Sequence, residues 1–176
     1  MMELNIDGMT ISPGYRYETA PTQDKFLKRE QTRSFFQTVL SPMREGKKNW
    51  TFTHSPFYLD FPEGKVDYAC TPWGNPNCNV LGWQRPCYLF SEHGYARSFH
   101  DLMEHTDWDK YGAGKHPKCA DCMVHCGYEP SAVNDSMSSM KKIIRSIKQH
   151  SRCLETPGVH PGPETAGRLM DTGNLR

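Results

Sequence analysis

Cys119-x2-Cys122-x3-Cys126 puts three thiols within eight residues, close enough for one compact turn to aim all of them at a single ion or cluster. Two further cysteines precede them in a Pro- and Gly-rich stretch: Cys70 in Cys70-Thr71-Pro72-Trp73-Gly74, and Cys87 in Gly82-Trp83-Gln84-Arg85-Pro86-Cys87. A four-ligand site therefore has the trio Cys119, Cys122 and Cys126 as its core, with Cys87 and Cys70 competing for the remaining place. All-thiolate sites suit an iron–sulfur cluster or zinc, and the spacing leaves both open. An iron–sulfur cluster is the expectation and zinc the alternative. Asp121, His116 and His125 stand beside the trio, but a histidine next to cysteines often only donates a hydrogen bond to a ligand.

Disulfides are the competing use of seven cysteines. The count is odd, and Met1 to Thr10 shows no basic start followed by a long apolar run, so thiolate ligands in a cytoplasmic chain are expected. No stretch approaches the ~20 apolar residues of a membrane-spanning helix. With a formal net charge of +1, no global field points to nucleic acid. Ser12 and Tyr15, with Tyr17, follow a strand-like run and are candidates to face a cofactor or substrate. An ordinary turn at Pro13-Gly14 explains them equally well. Arg85 is expected to cap a loop or pair at the surface, and Trp73 and Trp83 to pack a loop-rich core.

The elements that must hold these groups are partly legible. Leu4, Ile6, Met9 and Ile11 form an apolar run ending in Ser12-Pro13-Gly14, the entrance of an α/β unit. Phe26, Leu27, Phe36, Val39 and Leu40 predict a helix over 22–40 that stops before Pro42. Trp50, Phe52 and His54 alternate with threonines as a strand does. From Glu63 to Tyr88 no period is sustained, which is loop chemistry needing external support. Ser98 to Trp108 reads as a short capped helix. Residues 134–149 place Met137, Met140, Ile144 and Ile147 on one stripe, with Lys141, Lys142, Arg145 and Lys148 beside it. Only 29 of the 176 residues are Leu, Ile, Val or Phe, so the core is small and a metal staple would help it. The expected division is 1–62, 63–133 for the cysteine-rich part, 134–150 for the basic amphipathic helix, and 151–176 for a disordered tail.

Longer motifs add a resemblance. Asp7-Gly8-Met9-Thr10-Ile11-Ser12-Pro13-Gly14-Tyr15, His54-Ser55-Pro56, Cys70-Thr71-Pro72-Trp73-Gly74-Asn75-Pro76, Gly82-Trp83-Gln84-Arg85-Pro86-Cys87-Tyr88, Thr106-Asp107-Trp108-Asp109-Lys110-Tyr111-Gly112 and Cys119-Ala120-Asp121-Cys122-Met123-Val124-His125-Cys126-Gly127-Tyr128-Glu129-Pro130 together resemble the hopanoid-biosynthesis radical SAM proteins. The likeness runs from about residue 2 to residue 133. Cys70-x11-Gly82-x4-Cys87 followed by Cys119-x2-Cys122 also looks like the start of the auxiliary-cluster domains that follow many radical SAM barrels. The spacing to Cys126 departs from that pattern and favours one auxiliary cluster over two.

The resemblance implies an α/β fold: the C-terminal portion of a radical SAM barrel over residues 1–62, then a loop-rich auxiliary-cluster domain. It implies a 4Fe–4S auxiliary cluster and, in the complete enzyme, S-adenosylmethionine, whose 5'-deoxyadenosyl radical adds to the alkene of a hopene to give adenosylhopane. The catalytic cluster of such enzymes is bound by Cys-x3-Cys-x2-Cys, and this sequence holds only the reverse order. The chain is therefore expected to be inactive alone and to need an N-terminal half on another polypeptide. The other expected partners are a hopene-type lipid and, through the basic helix, the inner face of a membrane; a zinc-stapled, non-catalytic folding or binding module is the alternative.

Overall fold

The computed structural model describes residues 8–16, 21–48, 50–90 and 92–154. Near its start Met9 and Phe52 form a parallel bridge. The Met9 N–H donates to the Thr51 carbonyl at 2.9 Å, and the Thr53 N–H donates to the Met9 carbonyl at 3.0 Å. The alternation around Phe52 thus yields a single bridge, with Phe52 buried and Thr53 exposed. Leu4 and Ile6, half of the first expected strand, lie outside the described residues, as does Tyr17.

A 3-10 turn, Gln23–Lys25, leads into α1, Arg29–Arg44, so the helix begins later and runs further than the expected 22–40. Thr22 does not cap by its side chain; instead the Gln31 side-chain oxygen accepts the Lys28 N–H at 2.9 Å, one half of a capping box. Thr32, Phe36 and Leu40 form the buried stripe, and this packing carries the helix past Pro42. The Pro42 carbonyl then accepts the N–H groups of Lys47 and Lys48, closing the end. Helix α2, Pro56–Asp60, is entirely buried, with Pro56 at its first position and the Ser55 hydroxyl accepting the Phe57 N–H.

Residues 63–88, expected as loop, contain two strands of a small antiparallel sheet, β1 (Cys78–Asn79) and β2 (Gly82–Gln84), which β3 (Tyr95–Ala96) completes in the order β1-β2-β3. Trp83 pairs with Cys78 on one side and Ala96 on the other. Strands of two and three residues are too short to show a period. The Asn79 side chain accepts the Leu81 N–H at 2.8 Å and sets the turn, and Gly82 has φ +121 with the Ala96 carbonyl 2.7 Å from where a Cβ would sit, so only glycine fits there. Helix α3, Phe99–His105, is capped by Ser98, whose hydroxyl accepts the Asp101 N–H.

Helix α4, His125–Ser136, and helix α5, Met140–Leu154, finish the described chain. The amphipathic segment expected over 134–149 is thus divided: 134–136 end α4, and the stripe belongs to α5 from Met140 onward. Ser151–Leu154, assigned above to a tail, continue α5; the rest of that tail lies outside the described residues. The core joins the two halves of the chain, packing Phe36, Leu40, Phe52, Phe57, Tyr58, Leu59 and Phe61 against Met123, Tyr128 and Ala132. Phe61 and Tyr128 stack with ring centroids 4.2 Å apart. This contact seats α4, and with it the last cysteine of the trio.

Candidate metal centre

Three segments bring cysteines to one place. Cys119 ends the 3-10 turn Pro117–Cys119, and its N–H donates to the His116 carbonyl. The Cys122 N–H returns to the Cys119 carbonyl at 3.1 Å, so the two side chains share one tight turn. Cys126 follows in the first turn of α4. Cys87 arrives from the loop after β2, and Cys70 from the segment before the 3-10 turn Pro72–Gly74. All five are half-buried. They are electrostatic neighbours: Cys70 is influenced by Cys122, Cys87, Cys119 and Cys126, and Cys87 by Cys122, Cys126 and Cys119. Cys78 is exposed on β1.

Hydrogen bonds sort the five. Backbone donors that favour the thiolate reach Cys87 from Leu89, Cys119 from Gly112, and Cys122 from Val124. Cys126 is met by backbone of its own residue and of Gly127, and by the Tyr88 hydroxyl. The largest influences on Cys70 are burial and the other four thiols. Burial pushes every one of these thiols up, Cys122 to about 11 and Cys87 to about 12. They are protonated at neutral pH, and a bound cation would have to displace those protons.

Among the described residues, no three His, Cys, Asp or Glu side chains stand at the spacing of one bound ion. A zinc ion holds four sulfurs at ~2.3 Å from itself and so about 3.8 Å from one another. A four-iron cluster takes one thiolate on each of four irons and lets them stand further apart. Five thiols are electrostatic neighbours here, and hydrogen-bond donors reach at least four of them.

The surroundings assign the other candidates. Asp121 does not turn toward the thiols; its carboxylate accepts the Arg29 N–H at 3.2 Å, at the N-terminus of α1. His116 accepts the Lys118 N–H through Nδ1 and stacks on Tyr111. Ser12 and Tyr15 border the site. The Ser12 hydroxyl accepts the His125 N–H at 3.2 Å and bonds the Tyr58 hydroxyl. Tyr15 packs edge-on to Tyr88 at 5.5 Å between ring centroids, and the Tyr88 hydroxyl, which donates to Cys126, also bonds Tyr15. Arg85 pairs with Asp101 at 2.8 Å, and Trp83 packs edge-on against Phe99. Trp73 meets Trp108 edge-on but stays partly exposed.

Three residues with work at this site carry no local signal of it. Arg29 bonds the carbonyls of Cys122 (2.9 Å) and Ala120 (3.3 Å) and the Tyr128 hydroxyl (2.9 Å), while its guanidinium lies over the rings of Phe61 and Tyr128. It locks the Cys119–Cys122 turn from about ninety residues away. Tyr88 and Glu129 sit inside the long motifs, where only their flanking cysteines attract attention. Glu129 accepts the Ser55 N–H at 2.7 Å and faces His54 Nδ1 at 3.2 Å. His54 Nε2 in turn accepts the Ile11 N–H, which fixes the ring with its proton toward Glu129. The His125 ring lies 5.5 Å away, and burial lowers its pKa.

A family described as a domain of unknown function, DUF3463, matches residues 9–146, a span that takes in all five cysteines. No curated protein and no solved structure matches the chain.

Proposed function

The chain belongs to the DUF3463 family, and from that premise we propose that it carries an auxiliary iron–sulfur cluster in a radical SAM enzyme that adds a 5'-deoxyadenosyl group to a hopene. The family is associated with radical SAM-related proteins, in keeping with the motifs that resemble those of hopanoid-biosynthesis radical SAM proteins. The observation that carries the proposal is the meeting of Cys87, Cys119, Cys122 and Cys126 on one half-buried wall, each supplied with a backbone donor. These four are the assigned ligands, and Cys70 is the packing thiol beside them.

When bound, the cluster supplies one-electron chemistry, or braces the loops around it. The protein's own part is positional. Arg29 fixes the Cys119–Cys122 turn, the Phe61–Tyr128 stack fixes α4, and Tyr88 joins Cys126 to Tyr15. Ser12, bonded to the His125 N–H, and Tyr15, packed on Tyr88, are the residues assigned to meet a substrate or S-adenosylmethionine. The sequence contains no Cys-x3-Cys-x2-Cys loop, so cleavage of S-adenosylmethionine needs a segment that supplies one.

Anaerobic purification with iron, sulfide and zinc analysis tests the reading. The expected product is brown, with about four irons per chain and the electron paramagnetic resonance signal of a reduced cluster. A colourless protein with one zinc per chain would overturn it and establish the zinc-stapled module. Mixed with a polypeptide bearing Cys-x3-Cys-x2-Cys, the chain should support adenosylhopane formation; by itself it should give no 5'-deoxyadenosine.

A further inference from the structure

Helix α5 is seated through Lys142 and Arg145, with Ile143 half-buried beside them, while Met140, Ile144 and Ile147 are exposed. Arg145 bonds Asp60 at 2.7 Å, and its guanidinium stands 4.6 Å from the centre of the Phe57 ring. Lys142 bonds Asp135 at 2.5 Å and lies over the same ring. Asp60 also pairs with Arg44, and Asp135 accepts the Tyr68 hydroxyl, so both carboxylates are also held from outside α5. A helix on a soluble protein ordinarily turns its apolar stripe inward. Here Met140, Ile144 and Ile147 are 70%, 47% and 59% exposed, and Met137 in the preceding turn is 71% exposed. The spacing of 140, 144 and 147 puts the three on one face.

What surrounds that stripe selects the occupant. The segment 140–154 contains five basic residues and no acidic one. Lys142 and Arg145 hold the helix to the protein, whereas Lys141 and Lys148 border the apolar face and make no ion pair among the described residues. No helix among them is long and apolar enough to cross a membrane. We propose that this face of α5 is a membrane-docking surface, lying in the headgroup layer of an anionic bilayer with Met140, Ile144 and Ile147 inserted and Lys141 and Lys148 on the phosphates. A second copy of the chain or a neutral apolar partner would cover the stripe but leave those two lysines without counter-charge; an anionic lipid surface satisfies both. The inference rests on the seating of α5 alone and is independent of what the cysteines bind.

Flotation of the full chain with phosphatidylcholine vesicles, and with vesicles in which about a third of the lipid is phosphatidylglycerol, tests it. The wild-type chain should float with the anionic vesicles and much less with the neutral ones. Ile144→Glu, and separately the pair Lys141→Glu and Lys148→Glu, should each lower the partition coefficient about tenfold or more. High salt should weaken binding of the wild type. All three positions are at the surface, and a thermal melt of each variant confirms that it folds. Failure of the folded wild type to float with anionic vesicles, or flotation of Ile144→Glu equal to wild type, would overturn the proposal. So would a dimer in solution that Ile144→Glu dissociates without any effect of lipid, because the occupant would then be a second copy.

Discussion

A methyl group on Gly127 would come within 2.6 Å of the Cys70 sulfur. Cys70 is pressed against the first turn of α4, and the adjoining Thr71 is tied to the same residue, its N–H donating to the Gly127 carbonyl at 2.7 Å. Gly127→Ala must push Cys70 aside, and overpacking of this kind costs about 1–3 kcal/mol. If Cys70 packs rather than ligates, the variant melts earlier but the folded fraction keeps its iron, and Cys70→Ser keeps its iron too. Serine at Cys87, Cys119, Cys122 or Cys126 should each lose the cluster. Iron loss in Cys70→Ser as complete as in Cys122→Ser would move Cys70 into the ligand set.

Tyr88 offers a test that separates tuning from binding. Its hydroxyl donates to Cys126 and bonds Tyr15, and a hydrogen bond to a ligand sulfur favours the more negative, reduced cluster. Tyr88→Phe should therefore leave iron content unchanged and lower the reduction potential by tens of millivolts, the equivalent of a net hydrogen bond of about 1 kcal/mol. Potentiometric titration of wild type and variant reads this directly. An unchanged potential would place the hydroxyl outside the cluster's reach.

How much of this was written in the sequence divides along contact order. Short-range signals were readable: Cys119, Cys122 and Cys126 are fixed by one turn and one helix start, Ser98 caps α3, and the stripe of α5 shows in its spacing. Long-range pairings were not. Asp121 looked like a possible ligand because it lies between cysteines, yet its partner is the backbone of Arg29. Pro42 looked like a helix stop, but Phe36 and Leu40 bury the neighbouring face and the helix runs on to Arg44. The sheet of Cys78, Trp83 and Ala96 is built from strands too short for any period. The orientation of α5 was also hidden, since it depends on Asp60 and Asp135, which no local pattern connects to Arg145 and Lys142.

Arg29 should behave as a support of the metal centre. It carries three side-chain hydrogen bonds into the Ala120–Tyr128 segment and lies over two core rings. Arg29→Ala removes a charged donor from the Cys122 and Ala120 carbonyls, at about 1.5–3 kcal/mol for bonds of this kind, and should lower metal affinity about 10- to 100-fold, as loss of a residue orienting a ligand does. Arg29→Lys keeps the charge but not the planar fork, so it should recover stability better than it recovers affinity. Urea unfolding of the metal-free chain and competition with a chelator measure the two effects separately. Equal loss in both variants would mean that the charge is irrelevant and the geometry is everything.

The buried thiols give the metal-free chain a pH dependence of definite sign. Burial pushes Cys122 up to about 11 and Cys87 up to about 12, against about 8.5 for a cysteine in an unfolded chain. Between these values the unfolded chain has released protons that the folded chain still holds, so stability falls as pH rises. The contribution is complete below about pH 8.5 and is lost progressively toward the folded values. Cys70, Cys119 and Cys126, also shifted upward, add to the same slope. Urea midpoints of the reduced, metal-free protein should therefore drop from about pH 8.5 to pH 10.5, and the double variant Cys87→Ser, Cys122→Ser should show a shallower drop. Metal uptake replaces the same protons, so the apparent affinity must climb with pH over that range, and the loaded protein should show almost none of the alkaline loss. A double variant as steep as the wild type would mean that the thiols titrate normally and that the wall they line is open to water.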